Sequence, residues 1–193
     1  MDVYTVESSV ATFTTLTALR LETLPDDALP AKGPGHADGN FVISRVLAAI
    51  TPPVGTQKPG RYLRIEIPGK EKILSLAEVQ VFHGADNLAL AGEATQSSTA
   101  FEGPARLAID GNTNGNFSEA KSTTHTETST DPWWELDLKS ARAVDRVVLW
   151  NRTDGDLQER LSGFRLALLD DKREVVWQQE VKDAPHPSSE FSV

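Results

Sequence analysis

The chain of 193 residues contains no cysteine. Disulfides, thiol catalysis and thiolate metal sites are therefore excluded. The sequence also has no run of about 18 apolar residues, the length that a membrane-spanning helix needs. Positive charge is scarce, because 19 Lys and Arg residues stand against 28 Asp and Glu, for a net charge of −9. That balance repels phosphate backbones and anionic lipid, so we expect neither nucleic acid nor membrane insertion.

Recognisable catalytic patterns are also missing from the sequence. It has no G-x-S-x-G elbow, no glycine-rich phosphate loop and no H-x-x-x-H pairing among its histidines. Its many acids invite a glycosidase interpretation, because paired carboxylates hydrolyse glycosidic bonds. The acids lie mostly in turns, such as Asp26-Asp27 and Asp170-Asp171, where a solvated surface explains them. We therefore predict a protein that is not an enzyme.

The sequence is rich instead in alternating apolar and polar residues, the pattern of half-buried β-strands. Leu63, Ile65 and Ile67 alternate with polar neighbours, and residues 164–168 alternate in the same way. Residues 144–150 form a more continuous apolar run, which predicts a strand covered on both faces. Turn-forming residues separate these runs at short intervals. The pattern predicts an all-β sandwich or barrel.

The domain organisation follows from a stiff connector. Residues 51–60 contain three prolines and two glycines, a composition typical of a linker. The preceding residues 1–50 hold three strand candidates, which are too few to bury two faces alone. We expect this N-terminal β segment to pack on or precede a main domain at residues 61–193. The stretch APHPSSEFSV near the end of the chain predicts a further strand.

Four stretches between residues 87 and 163 carry a family resemblance. In chain order they are ATQSST, AIDGNTNGNFS, PWWELDL and NRTD. Together they resemble the F-type lectin domain, a jelly-roll β-sandwich of the galactose-binding-like superfamily. The resemblance implies a non-catalytic carbohydrate-binding module for fucose or a similarly configured sugar.

The resemblance also implies which residues bind the sugar. Members of the family hold fucose between one histidine and two arginines. Here 26 residues separate His125 from Arg152, as in the family motif, and Asp154 follows at the expected step to brace an arginine. Arg160 comes one residue later than in the motif, because GDLQE fills the gap. The family often has two adjacent cysteines in this loop, where the present chain has Gly155-Asp156-Leu157.

These residue types also make chemical sense for a sugar. Guanidinium groups are forked donors that suit adjacent sugar oxygens, and a histidine nitrogen adds a further contact. Leu157 or Phe101 is a candidate to pack against the C–H face of the sugar. The alternative interpretation is that His125 is merely a loop residue and that both arginines pair with surface acids.

A structural calcium ion is the second implication of the resemblance. Hard oxygen ligands suit Ca²⁺. The ligands carried over are the carboxylates of Glu78 and Asp110, the hydroxyl and carbonyl of Ser122, and the carbonyls of Ala77, Leu107 and Asn112. Residues 60–82 resemble the family's C-terminal strand pair but precede the rest of the domain, so we expect a circularly permuted order. The alternative is that Glu78 is an exposed strand acid and that residues 110–112 are merely a turn.

Residues 1–50 resemble a segment of large exported multidomain proteins of planctomycete-type bacteria. This resemblance implies an extracytoplasmic module of a larger polypeptide. The lectin resemblance implies that its partner is a glycan on a polysaccharide or cell surface. A rival function stays open, namely a degenerate lectin-like sandwich that serves as a structural or protein-interaction module. The extra residue before Arg160 and the missing cysteines favour that rival.

Overall fold

A computed structural model describes residues 20–22, 24–33, 43, 46–47 and 59–193. The chain divides into two compact units, residues 1–49 and 50–193. Among its described residues the first unit has a 3₁₀ helix at Pro30–Lys32. Most residues of the strands predicted within residues 1–50, and all but the last two residues of the predicted linker at 51–60, lie outside the described residues.

The second unit consists mainly of strands. A single α-helix, α1 (Phe117–Ala120), lies within the described ranges, along with further 3₁₀ helices at Leu88–Ala91, Ala105–Ile109 and Gln158–Leu161. No helix in the described part of the chain is long and apolar enough to cross a membrane. The strands described are β1 (Gly60–Glu66), β2 (Glu78–His83), β3 (Asp86–Asn87), β4 (Glu93–Gln96), β5 (Trp133–Arg142), β6 (Arg146–Trp150), β7 (Phe164–Leu169), β8 (Val175–Val181) and β9 (Ser188–Ser192).

These strands form two antiparallel sheets, one of five strands in the order β4-β5-β1-β7-β8 and one of four in the order β3-β2-β6-β9. Strand β1 is central in its sheet, since Leu63 lies opposite Leu136 of β5 and Leu168 of β7. Strand β9 is the further strand predicted near the end of the chain, and it pairs with β6. The predicted all-β sandwich is confirmed.

The core between the sheets follows from the alternation along the strands. Leu63 and Ile65 of β1 are fully buried, whereas the intervening polar residues are half-buried on the outer face. Val79 and Val81 of β2 and Leu149 of β6 belong to the same hydrophobic cluster. Burial of the inner faces of both sheets is the main force that stabilises such a sandwich.

Strand β6 differs from the sequence prediction. Val147 and Leu149 are buried, but Val148 is half-buried on the outer face. The cross-strand neighbours of Val148 are Gln80 and Glu190, which both suit a solvated face. The prediction of a strand covered on both faces is therefore wrong. The run of valines reflects the preference of β-branched residues for strands, which does not require burial.

We expect Leu63→Ala to lower the free energy of unfolding by about 2–5 kcal/mol, because it leaves a cavity in a closed core. Leu90 is 57% exposed and provides the matched control. Leu90→Ala should change the same quantity by less than about 0.5 kcal/mol. Urea denaturation followed by tryptophan fluorescence measures both variants, and equal losses would contradict the placement of β1 in the core.

Candidate functional site

His125 lies under a tight turn at residues 100–103. Its carbonyl accepts the N–H of Ala100 at 2.9 Å, and its own N–H donates to the carbonyl of Gly103 at 2.9 Å. A Cβ on Gly103 would lie 2.6 Å from the His125 nitrogen, so the close approach requires glycine. His125 is 4% exposed, and its Nδ1 is 2.7 Å from the carbonyl of Thr126. Because Nδ1 must donate to a carbonyl, Nε2 of the neutral ring is an acceptor.

Two phenylalanine rings flank the imidazole. The ring centroid of Phe101 is 4.9 Å from that of His125, and the centroid of Phe117 is 6.0 Å away. Phe101 is 71% exposed. Phe101 and Glu102 both have a left-handed backbone, with φ of 50° and 57°, which is costly for residues other than glycine. The turn thus holds an apolar ring open to solvent beside the imidazole.

Arg152 follows strand β6, and its side chain is buried. The guanidinium donates to both carboxylate oxygens of Asp154, from Nε to Oδ1 at 2.7 Å and from Nη2 to Oδ2 at 2.9 Å. The Phe117 ring centroid lies 4.7 Å from its central carbon. A buried guanidinium keeps its charge and needs such a partner. The bond from Arg152 is also the main reason that the pKa of Asp154 lies well below its ordinary range.

Arg160 reaches the same end of the sandwich through a compact loop. The five residues between Asp154 and Arg160 include two with left-handed backbones, Gly155 and Asp156, followed by the 3₁₀ helix at Gln158–Leu161. Arg160 is half-buried, and within the described ranges its guanidinium forms no ion pair.

Electrostatics connects the three cationic or donor side chains. Burial lowers the pKa of His125, and the positive charges of Arg152 and Arg160 lower it further, while the bond to the Thr126 carbonyl opposes the shift. The ring is therefore neutral at pH 7. The Phe117 ring lies beside both His125 and Arg152, Asp154 holds Arg152, and Arg160 lies close enough for its charge to act on the imidazole. The alternative in which both arginines pair with surface acids is wrong for Arg160, because its guanidinium forms no ion pair within the described ranges.

Glu78 is a buried acid at the start of β2, with no exposed surface. Its Oε1 accepts the N–H of Gly111 at 3.1 Å, whereas its Oε2 is buried and has no hydrogen-bond partner among the described residues. Burial raises the pKa of Glu78 to about 7, and the charge of Asp110 adds to that effect. The alternative of an exposed strand acid is therefore wrong.

Of the other predicted metal ligands, Asp110 lies close enough to Glu78 for its charge to act on that carboxylate. Ser122 lies two residues before Thr124, whose N–H donates to the carbonyl of Leu76 at 2.8 Å. Asp110 follows the 3₁₀ helix that contains Leu107, and the carboxylate of Asp110 accepts the N–H of Asn112. Ala77 directly precedes Glu78 in the chain.

The donor set decides which ion fits. No cluster of three or more His, Cys, Asp or Glu side chains suited to a metal occurs in the described ranges. A cation beside Glu78 would therefore depend on carbonyl and hydroxyl oxygens together with the carboxylates. The buried Oε2 atom of Glu78 lacks the positive partner that a buried carboxylate requires. An orphaned carboxylate oxygen among such donors fits a hard divalent cation.

Comparison with known proteins decides the family. A family profile described as a NedA-like, galactose-binding domain matches residues 107–192. A fucose binding module of Streptococcus pneumoniae is 38% identical with a TM-score of 0.53, over 57% of this chain and 78% of that chain. The lectin domain of lectinolysin, solved in complex with the Lewis B antigen, is 35% identical with a TM-score of 0.54, over 56% and 77%. The chain belongs to the F-type lectin family.

Curated relatives agree with this assignment over a shorter span. Fucolectin-1 of Anguilla japonica is 39% identical over 88 residues, which are 43% of this chain and 48% of that protein. The pentraxin fusion protein of Xenopus laevis is 38% identical over 93 residues, 48% of this chain and 22% of the relative. The chain thus spans about half the length of the fucolectin and less of the fusion protein. The names of the fucolectin and of the two solved relatives describe lectins and fucose binding modules, the class of protein that the sequence resembles.

Three residues that sequence reasoning did not place in the site contribute to it. Phe117 packs beside Arg152 and His125, and Ser118 donates to Asp154. The buried amide of Asn151 donates to the carbonyls of Gln158 and Pro185, both at 3.0 Å, and fixes the base of the Arg160 loop. All three lie in the stretches that carry the family resemblance, but their spacing does not say what they contact.

A hollow of about 250 Å³ lies on the outer face of the five-stranded sheet. Its buried acid, Glu135, is paired with Arg64 and Arg173. Another acid in its wall, Asp137, accepts two hydrogen bonds from Arg61. These charges are already compensated within the domain, so the hollow offers less to a ligand than the cluster around His125.

The electrostatic link between Arg160 and His125 can be tested by titration. We expect Arg160→Gln to raise the pKa of His125, because the substitution removes a positive charge that disfavours the imidazolium. NMR titration of the imidazole nitrogens measures the change. Arg165→Gln is the matched control, since Arg165 lies opposite Glu66 on another strand pair, and it should leave the pKa unchanged. Identical titrations in the wild type and Arg160→Gln would contradict the convergence of the two side chains.

Proposed function

We propose that this F-type lectin domain binds fucose, or a similarly configured sugar, at His125, Arg152 and Arg160. The observation that supports the proposal best is a buried imidazole between the exposed Phe101 ring and the Phe117 ring, which also contacts the guanidinium of Arg152. Relatives named for fucose binding, and a relative solved with the Lewis B antigen, support the same class of ligand.

The free hydrogen-bonding groups at the site match a polyol. Asp154 occupies Nε and Nη2 of Arg152, while Nη1 makes no hydrogen bond within the described ranges and can donate to a sugar oxygen. Arg160 supplies a second forked donor, and Nε2 of His125 accepts from a hydroxyl. The open ring of Phe101 suits the C–H face of the sugar. A site of this size offers few contacts, so we expect a Kd between roughly 0.1 and 1 mM for a single sugar.

The rival function, a degenerate sandwich without a sugar site, is favoured by the extra residue before Arg160 and by the missing cysteines. The loop accommodates the extra residue in a 3₁₀ helix, and the charge of Arg160 still acts on His125, which weakens the first of these two grounds. We therefore favour the lectin function over a purely structural or protein-interaction role.

We also propose that a structural Ca²⁺ lies beside Glu78. The orphaned Oε2 atom of this buried carboxylate supports a cation there. When bound, the ion would offset the negative charges of Glu78 and Asp110 and link the strand to the loop. The residues that would hold it are those expected from the resemblance, namely Glu78, Asp110, Ser122, Ala77, Leu107 and Asn112.

The setting of the domain is part of the same proposal. We propose that it acts outside the cytoplasm as a module of a larger polypeptide, where it targets that polypeptide to fucosylated or related glycans. Its acidic net charge of −9 makes nucleic acid and anionic membranes unsuitable partners.

Calorimetry with L-fucose tests the sugar site. We expect Arg160→Gln to raise the Kd about tenfold or more, because hydrogen bonds from a charged donor are lost. Arg160 is half-buried and unpaired within the described ranges, so the thermal stability of the variant should stay close to that of the wild type. Arg165→Gln is again the control and should bind normally. If the wild type binds neither L-fucose nor any related glycan on an array, the proposed function is wrong.

Thermal unfolding tests the cation. Without metal, stability should fall as the pH rises from about 4.5 to about 7, because the buried Glu78 must then carry its charge. Ca²⁺ at 100 times its Kd should raise the Tm by roughly 5–10 °C. Glu78→Gln should abolish both effects, whereas Glu180→Gln, an exposed glutamate on β8, should keep them. A Ca²⁺ response that persists in Glu78→Gln would exclude this carboxylate as a ligand.

A further inference from the structure

The carboxylate of Asp154 accepts four hydrogen bonds, and they come from two sources. Each oxygen accepts one bond from Arg152. Each also accepts one bond from the first turn of α1, namely from the N–H of Phe117 to Oδ1 at 3.2 Å and from the hydroxyl of Ser118 to Oδ2 at 2.7 Å. Asp154 is therefore a bridge between α1 and the guanidinium of Arg152.

Apart from this bridge, helix α1 contributes the Phe117 ring, which packs beside Arg152 and His125. None of its residues is buried, so it adds nothing to the hydrophobic core. The side chain of Asn116 caps its start by accepting the N–H of Glu119, and Lys121 ends it in a left-handed conformation. A helix of one turn is not stable alone. The cap at Asn116 and the left-handed Lys121 instead fix the positions of the two donors whose hydrogen bonds Asp154 accepts.

We propose that Ser118 is a positioning residue for sugar binding, because its hydroxyl fixes Asp154 and Asp154 in turn holds Arg152. Ser118 is exposed and acts through Asp154, so the sugar need not touch it. The bidentate geometry leaves Arg152 with one preferred orientation, and preorganised donors bind a ligand without a further cost of ordering. This inference rests on the proposed function and assigns a role to a residue outside the His125, Arg152 and Arg160 set.

Two variants test the role of the hydroxyl. We expect Ser118→Ala to raise the Kd for L-fucose about fivefold, the equivalent of one ordinary hydrogen bond. Ser118→Thr keeps the hydroxyl at an exposed position and should bind within about twofold of the wild type. Calorimetry gives the Kd of each variant, and circular dichroism checks that their thermal unfolding matches the wild type.

A spectroscopic measurement without sugar separates this inference from the proposed function. The Nε–H proton of Arg152 should give a distinct NMR signal in the wild type and in Ser118→Thr, because Asp154 protects it from exchange with water. In Ser118→Ala this signal should exchange faster. Unchanged exchange in Ser118→Ala, or a Ser118→Thr variant as weak as Ser118→Ala, would overturn the positioning role. Absence of sugar binding in the wild type, with the exchange difference intact, would overturn the proposed function but retain the link between Ser118 and Arg152.

Discussion

The cost of burying a charge is the constraint on which both ends of this site depend. Glu78 begins β2 opposite Trp150 of β6, and Arg152 lies two residues beyond Trp150. An acid and a base are thus buried at the same end of one strand pair, yet they do not pair with each other in the structure. Arg152 is compensated by Asp154, whereas one oxygen of Glu78 has no partner among the described residues. A buried carboxylate in that position favours a cation beside it.

One continuous stretch of chain connects the two buried charges. Gly111 donates its N–H to Glu78, and Thr124 donates its N–H to the carbonyl of Leu76, two residues before Glu78. Between them the chain extends to α1, whose first turn holds Asp154. Ser122 donates to the carbonyl of Asn114 and closes the base of this excursion. Glu78 and its strand therefore hold the ends of this stretch, and the middle of the stretch holds Arg152 at the proposed sugar site.

The sequence predicted the parts that depend on local pattern or on motif spacing. Alternation along residues 62–67 placed β1 correctly, because a two-residue period determines which side chains face the core. Motif spacing selected His125 and Arg152, which the structure places together. The route of the Arg160 loop could not be predicted, because a left-handed Asp156 has no sequence signal of its own. Nor could the contact of Ser118 with Asp154, since it joins loops 36 residues apart. The circularly permuted order stays a prediction.

The same constraints explain how a site with acids and a histidine serves binding rather than catalysis. Two carboxyl groups with widely separated pKa values are the pattern of a glycosidase, and Glu78 and Asp154 have such values. Asp154, however, already accepts four hydrogen bonds and is not available as a base or nucleophile. Glu78 titrates near pH 7 but is fully buried against Gly111, where no sugar can reach it. Asp154 thus holds Arg152, and Glu78 holds Gly111. The groups that remain for a ligand are the guanidinium donors of Arg152 and Arg160 and the neutral acceptor nitrogen of His125.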